Sequence, residues 1–299
     1  MAKIKRLTRR EFVANSMAAL GATSLLMATG NACAENSRVT VQQVIDLILK
    51  SIPNAPFKKT VDTLKSGKPD QIVTGVITTM FATIPVIHKA IEQKANLIIA
   101  HEPTFYNHLD ETVWLEKDPV YEFKQKLLAE NNIAIWRFHD YWHSHKPDGV
   151  QIGVLKAMGW ERYFNPESPR MITIPSTTVE NVIDLLKKNL GIKNLRFIGD
   201  PAQRCERIAV LPGAPGGHGQ IQILQKEKPD VMICGELQEW ETSEYVRDAR
   251  AMGVNLSLIV TGHAASEEPG MEWLVQWLQP QLPEVAITHV PSESPFTWR

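Results

Sequence analysis

Residues 133–145 read IAIWRFHDYWHSH, an apolar run that releases three histidines and an aspartate within seven positions. Two other segments repeat the pattern. Asn96-Leu97-Ile98-Ile99-Ala100 ends in His101 and Glu102, and residues 256–262 (LSLIVTG) end in His263, with Glu267 four positions on. Short continuous apolar runs are the signature of strands buried on both faces of a parallel sheet, and ligands collect at the carboxyl ends of such strands. Three runs of this kind constrain the chain to an α/β fold that brings imidazole and carboxylate to one edge.

Neutral imidazole is the commonest protein ligand for metals, and carboxylates complete sites for borderline and hard divalent ions. One histidine after one strand is more often a satisfied loop residue than a ligand; three at equivalent strand ends point to a metal centre. The ligand set read this way is His101, Glu102, His139, His143, His263 and Glu267, with Asp140 available as a bridging carboxylate wherever its side chain points inward. His145 is the member of its cluster that solvent most easily claims.

The first 34 residues have the layout of an export signal. Lys3, Lys5, Arg6, Arg9 and Arg10 form a basic region, an apolar stretch follows over 13–28, and Ala32-Cys33-Ala34 supplies a cleavage site. The apolar part is too short for a membrane span. Arg9 and Arg10, with Phe12 and Val13 behind them, match a twin-arginine signal, which exports proteins already folded and loaded. Cleavage after Ala34 and a periplasmic or secreted location are expected; lipidation at Cys33 is disfavoured because Gly30 stands where such signals carry Leu.

Removing this segment changes the formal net charge from −1 to about −5, because it takes away five basic residues and Glu11. A basic nucleic-acid footprint is therefore absent. Cys205 and Cys234 remain, 29 positions apart and without CxxC spacing. A structural zinc site is excluded on that spacing, while a disulfide and two buried thiols both stay open.

From Val39 onward helices and strands alternate. Thr40 caps a helix over 41–52 with Val41, Val44, Ile45, Leu47 and Ile48 on one face. Residues 53–68, polar and broken by Pro and Gly, read as a loop. Strands over 72–77, 97–100 and 133–138 alternate with helices over 84–93, 118–131 and 149–158, the arrangement of a largely parallel sheet covered by helices on its faces. A second lobe follows over about 166–244, with strands over 172–174, 195–198, 208–211 and 231–234 and helices over 179–190 and 221–226. The first lobe, about 35–165, is expected to resume over 245–299 with a helix over 243–252, a strand over 256–260, a helix over 270–278 and a strand over 285–289. The run Pro212-Gly213-Ala214-Pro215-Gly216-Gly217-His218-Gly219 lacks the endings of a phosphate or dinucleotide loop. It reads as a strand-to-helix turn, with His218 a lesser candidate for substrate contact.

Five segments taken together, residues 96–105 (NLIIAHEPTF), 133–143 (IAIWRFHDYWH), 149–160 (GVQIGVLKAMGW), 230–237 (DVMICGEL) and 253–270 (closing on GHAASEEPG), resemble the Nif-three-like dinuclear-metal family, also known as GTP cyclohydrolase I type 2 homologues. The resemblance implies a two-lobed α/β protein, often a hexameric ring with paired metal ions facing an inner cavity. It also implies that His101 is a ligand, that Glu102 replaces the second histidine of the family's His-His-Pro, and that His143 replaces a bridging aspartate. His263 and Glu267 match the family's GHxxxE.

An imidazole cannot bridge two cations as a carboxylate does, so the centre is expected to hold one or two divalent ions, with zinc or iron favoured. The activity expected is metal-assisted hydrolysis of a small, unidentified substrate, with Glu236 and Glu239 as candidate proton-transfer residues; an exported protein meets little GTP. The rival expectation is a homo-oligomeric metal-binding scaffold without chemistry.

Overall fold

The structure, a computed structural model, describes residues 38–297 and 299, so the basic leader, Cys33 and the cleavage site lie outside the described residues. Val39 to Arg299 folds around two five-stranded sheets. In the first, strands numbered in chain order run β1 (Leu64–Ser66), β4 (Ala134–Arg137), β3 (Leu97–Ala100), β2 (Val76–Thr79) and β10 (Ile287–His289). In the second they run β5 (Met171–Thr178), β7 (Arg204–Leu211), β8 (Val231–Cys234), β9 (Ser257–Val260) and β6 (Arg196–Ile198).

Every interior pairing is parallel. Among the named strands, pairing is antiparallel where β1, β5 and β6 close an edge, and an isolated antiparallel bridge joins Thr40 to Ile72. The central strands β2, β3, β4, β8 and β9 are buried along their whole length, as continuous apolar runs require.

Alternation along each buried strand separates two cores. Leu97, Ile99, Ala134 and Trp136 face α1 (Val41–Leu49) and α9 (His263–Leu278), whereas Ile98, Ala100 and Ile135 face α2 (Ile84–Glu92) and α3 (Pro119–Glu130). The second sheet repeats the plan. Ile208, Val210 and Ile233 pack with α6 (Val179–Asn189), while Ala209, Leu211 and Met232 pack with α7 (Gly217–Glu227) and α8 (Glu244–Ala251). Cys205 belongs to the first of these layers and Cys234 to the second, so the two sulfurs lie on opposite faces of one sheet and remain separate buried thiols.

One helix links the halves. In α5 (Gly149–Ala157), Val150 sits in the core of the first sheet while Val154 and Leu155 sit in that of the second. It crosses α9 at close quarters: a Cβ on Gly153 would lie 2.5 Å from the Gly270 Cα, a separation that side chains never reach. Absent side chains at Gly153 and Gly270 let the two backbones touch.

Three expectations are corrected. The loop over 53–68 contains β1, added antiparallel to β4, because Leu64 finds a partner in Trp136 that no local pattern announces. The strand over 256–260 belongs to the second sheet, not the first lobe: β9 pairs with β8 from Val231↔Ser257 to Cys234↔Val260, and it is α9 and β10 that return to the first sheet. That helix begins at His263, not at 270, despite Pro269 inside it. Pro269 removes one hydrogen bond, but burial of Ser266, Glu267, Gly270 and Met271 holds the turns before and after it in register.

Candidate metal centre

Three strand ends and two helix starts build the site. His101 and Glu102 follow β3, His139 follows β4, His143 lies on α4 (Asp140–Ser144), and His263 and Glu267 occupy the first two turns of α9. All six sequence-predicted ligands converge. His101, His139 and His143 bring one ligand atom each to within 4.8 Å of one another, as do His101, Glu102 and Glu267.

The short helix α4 was not foreseen. It places His139 and His143 one turn apart, so both rings stand on the same side with their centroids separated by 4.9 Å. Five residues cannot hold a helix by themselves. The buried Asp62 supplies what they lack, accepting from the backbone N–H groups of His139 (2.9 Å), Asp140 (3.0 Å) and Tyr141 (2.8 Å). Burial raises the Asp62 pKa and those three donors pull it back, so the carboxylate serves as a helix cap supplied from β1's approach.

Each of the three clustered imidazoles has its Nδ1 occupied. His101 Nδ1 faces the Phe138 carbonyl at 3.0 Å, His139 Nδ1 faces Asp140 Oδ1 at 2.9 Å, and His143 Nδ1 faces Asp148 Oδ2 at 3.0 Å. A carbonyl or carboxylate only accepts, so each Nδ1 carries a proton and each Nε2 is turned to the cluster. Burial lowers the His143 pKa, but the hydrogen bond and charge of Asp148 raise it overall. Asp140 is thereby spent on His139, on the Thr60 hydroxyl (2.8 Å) and on the Val61 N–H (3.1 Å); it does not bridge the site. The His101 Nε2 is buried with no hydrogen-bond partner. Burial, together with charge on His143 and His139, holds the His101 pKa well below the usual range, so this nitrogen stays a free acceptor.

Opposite the imidazoles lies a charge-paired group. His263 Nε2 stands 3.1 Å from Glu267 Oε2 and 3.3 Å from Glu102 Oε1, and its Nδ1 lies 3.3 Å from Glu236 Oε2. Burial lowers the His263 pKa, but hydrogen bonds to Glu102 and Glu267 and their charges overcome it and raise it to about 10. Burial likewise raises that of Glu102, yet His263 and the neighbouring histidines bring it down to about 2.

The remaining sequence candidates divide. Glu236 reaches the site through His263, with its side chain 56% exposed at the rim. Glu239 instead pairs with Arg196 on the exposed surface. His145 is not solvated but buried among Trp142, Trp273 and Trp277, with Nδ1 2.7 Å from the Pro147 carbonyl. His218 is exposed at the start of α7.

The glycine run, read from the sequence as a strand-to-helix turn, also borders the site. Gly213 has φ +71°, and a Cβ there would lie 2.1 Å from Glu267 Oε1, so the missing side chain makes room for the carboxylate. Sequence reading also passed over Asp62, Asp148, Arg137 and His108, whose ring centroid is 5.9 Å from that of His139. Asp148 carried a signal, since it caps α5 just before Gly149; Asp62 did not, because its partners lie 77 to 79 positions away.

The arrangement suits a divalent cation. Its donors are three imidazoles with prearranged tautomers, a fourth histidine and two buried carboxylates, and a buried orphan nitrogen sits where the two candidate groups meet.

Similarity to known proteins establishes the family and the fold. A "GTP cyclohydrolase 1 type 2 homolog" from Clostridium perfringens is 27% identical over 234 residues, which is 74% of this chain and 85% of that protein. One of the same name from Clostridium acetobutylicum is 25% identical over 235 residues, covering 75% and 83%. Among solved structures, Staphylococcus aureus protein SA1388 superposes with a TM-score of 0.69 at 20% identity, over 88% of this chain and 100% of that one. A Bacillus cereus protein related to NIF3 does so with 0.67 at 17%, over 87% and 99%. With two sheets of matching architecture and the Duf34/NIF3 (NGG1p interacting factor 3) family pattern matched over residues 39–295, the chain belongs to that family.

Proposed function

We propose that the protein is a metal-dependent hydrolase of a small substrate, exported through a twin-arginine signal and loaded with one or two zinc or iron ions. The observation that carries the reading is the buried, partnerless Nε2 of His101, flanked by two other imidazoles whose Nδ1 protons are fixed by Asp140 and Asp148. One free nitrogen serves one cation. His101 therefore joins either the imidazole group with His139 and His143 or the carboxylate group with Glu102 and Glu267, and a second ion would depend on Glu102, His263 and Glu267.

A divalent ion held there would act as a Lewis acid on a carbonyl or phosphoryl group. The chain's own residues supply the rest. Buried Glu102 and Glu267 offset the cationic charge, Asp140 and Asp148 keep His139 and His143 in one tautomer, and the half-exposed Glu236 can pass a proton between His263 Nδ1 and solvent. Glu239, held by Arg196, has no part in this account.

Elemental analysis of the mature protein, followed by ester, amide, phosphoester and GTP hydrolysis panels, tests the reading. One or two ions per chain with metal-dependent turnover would support it; a bound metal without turnover on any panel would remove the enzyme. Export is tested by Arg9→Lys with Arg10→Lys, which should retain the protein in the cytosol.

A second reading, a non-catalytic metal-binding scaffold in a homo-oligomeric ring, draws on exposed apolar side chains beside the site. Leu109, Val113, Trp114 and Phe123 are each more than half exposed. Light scattering would read the subunit number, and a monomer would end this reading. Among the described residues no helix is long and apolar enough to cross a membrane.

A further inference from the structure

Arg137 ends β4, in the middle of an apolar run, and is fully buried. A guanidinium stripped of water persists only when its donors are matched. Here Nε donates to the His101 carbonyl at 3.3 Å, Nη1 donates to the His108 carbonyl and lies 3.4 Å from Asp110 Oδ2, and Nη2 lies 3.5 Å from Glu102 Oε2. Asp110 is itself held by Lys65 Nζ at 3.1 Å and by the Phe105 N–H at 2.8 Å. Two cations and two carboxylates therefore balance beneath the segment 101–110, and the rigid fork of Arg137 touches that segment at four residues.

The consequence falls on Glu102, whose two oxygens face opposite ways. Oε2 turns to the guanidinium, while Oε1 faces His263 Nε2 at 3.3 Å and His139 Nε2 at 3.7 Å. We infer that Arg137 is a positioning residue that makes Glu102 a one-oxygen metal ligand, presenting Oε1 and withholding Oε2. This rests on the metal-centre reading above. Held in this way, Glu102 would neither chelate one ion with both oxygens nor bridge two ions through separate oxygens, and Glu267 would be left as the carboxylate of the six able to span a pair with both of its oxygens. Lysine would not serve: a single ammonium cannot hold a carboxylate oxygen and two carbonyls in one plane.

The test is a double-mutant cycle with Co²⁺ as the probe, on the mature chain. Arg137→Met should weaken Co²⁺ binding about 10- to 100-fold, the usual effect of losing a group that orients a ligand. It should also dim the visible cobalt bands as a second Glu102 oxygen enters the coordination sphere. In the Glu102→Gln background the same substitution should change affinity by less than about threefold, because the oxygen it frees is gone. Arg137→Lys, which keeps the charge, should shift the cobalt spectrum in the same direction and carries the test if Arg137→Met does not fold.

Equal losses in both backgrounds, or unchanged bands in both Arg137 variants, would mean a purely structural arginine and overturn the inference. A Zn²⁺-loaded crystal of the unaltered protein decides the point without any substitution: both Glu102 oxygens on the metal would overturn it. Failure of the unaltered protein to bind Co²⁺ or Zn²⁺ removes the metal-centre reading and this inference together, whereas binding with additive effects removes this inference alone.

Discussion

The imidazole group of the site, His101, His139 and His143, and the carboxylate group, Glu102, His263 and Glu267, face each other but are prepared in different ways. In the first, every ring is fixed by an acceptor behind it, which turns its Nε2 to the cluster, and the His101 Nε2 is buried without a hydrogen-bond partner. In the second, a histidine proton sits between two carboxylates and offsets part of their charge. The first group is ready for a cation; the second must give up a proton to take one. Preorganisation without charge compensation favours occupancy, while compensation by a mobile proton makes occupancy depend on pH.

Replacing His101, the residue that both groups claim, is the sharpest way to break the contrast. His101→Ala should weaken Zn²⁺ binding by about two to three orders of magnitude, since a zinc site built from four donors gains roughly 3 kcal/mol from each. Competition with a chelator of known affinity measures this, and a loss below tenfold would mean that the two groups bind independently of it.

The next largest effect concerns protons. With the His263 pKa raised to about 10, binding that uses its Nε2 must expel a proton, so affinity in the carboxylate group should rise about tenfold per pH unit between pH 6 and 8. Binding in the imidazole group also competes with a proton, on His143, whose pKa burial lowers but Asp148 raises overall above 6.5. Calorimetry in buffers of different ionisation enthalpy counts the protons released, and a release left unchanged by His263→Ala would place the cation with the imidazoles. Without a cation, both His263 and Glu102 make folding stability depend on pH. The His263 contribution is present below its ordinary value of 6.5 and lost as pH rises through about 10, and the Glu102 contribution is present above 4.5 and lost as pH falls through about 2.

Gly213→Ala crowds only the carboxylate group. Strain at φ +71° and the clash with Glu267 should lower stability by about 1–3 kcal/mol, read as a drop in Tm. The metal-free protein should show the same drop. A smaller effect is expected behind the imidazole group: Asp148→Asn frees the His143 tautomer and should cost about tenfold in metal affinity, with kcat/KM for any hydrolysed substrate falling in parallel.

Much of the fold was legible because its cause is local. The runs 97–100, 133–138, 231–234 and 256–260 are apolar apart from Arg137 and Ser257, since both of their faces are covered, and that burial is written in the residues themselves. The six converging residues were legible for the same reason, as each stands where a recognisable strand or helix begins or ends. Residues 64–66 were not, because an edge strand of three residues is chosen by its neighbour β4 and not by its own composition. The start of α9 was obscured by Pro269, whose local cost is outweighed by packing against α5.

What the sequence alone determined, then, is the set of strands and the kinds of donor at their ends, since hydrophobic periodicity and side-chain chemistry need no partner to be read. Only the tertiary structure decided which sheet receives β9, which nitrogen of each imidazole is free, and that Asp62, Asp148, Arg137 and Gly213 serve the site. Each of those choices is a contact between residues separated along the chain, made when helices and sheets pack. Such contacts leave no periodic trace in the sequence because their energy lies in the geometry of two segments and in neither one alone.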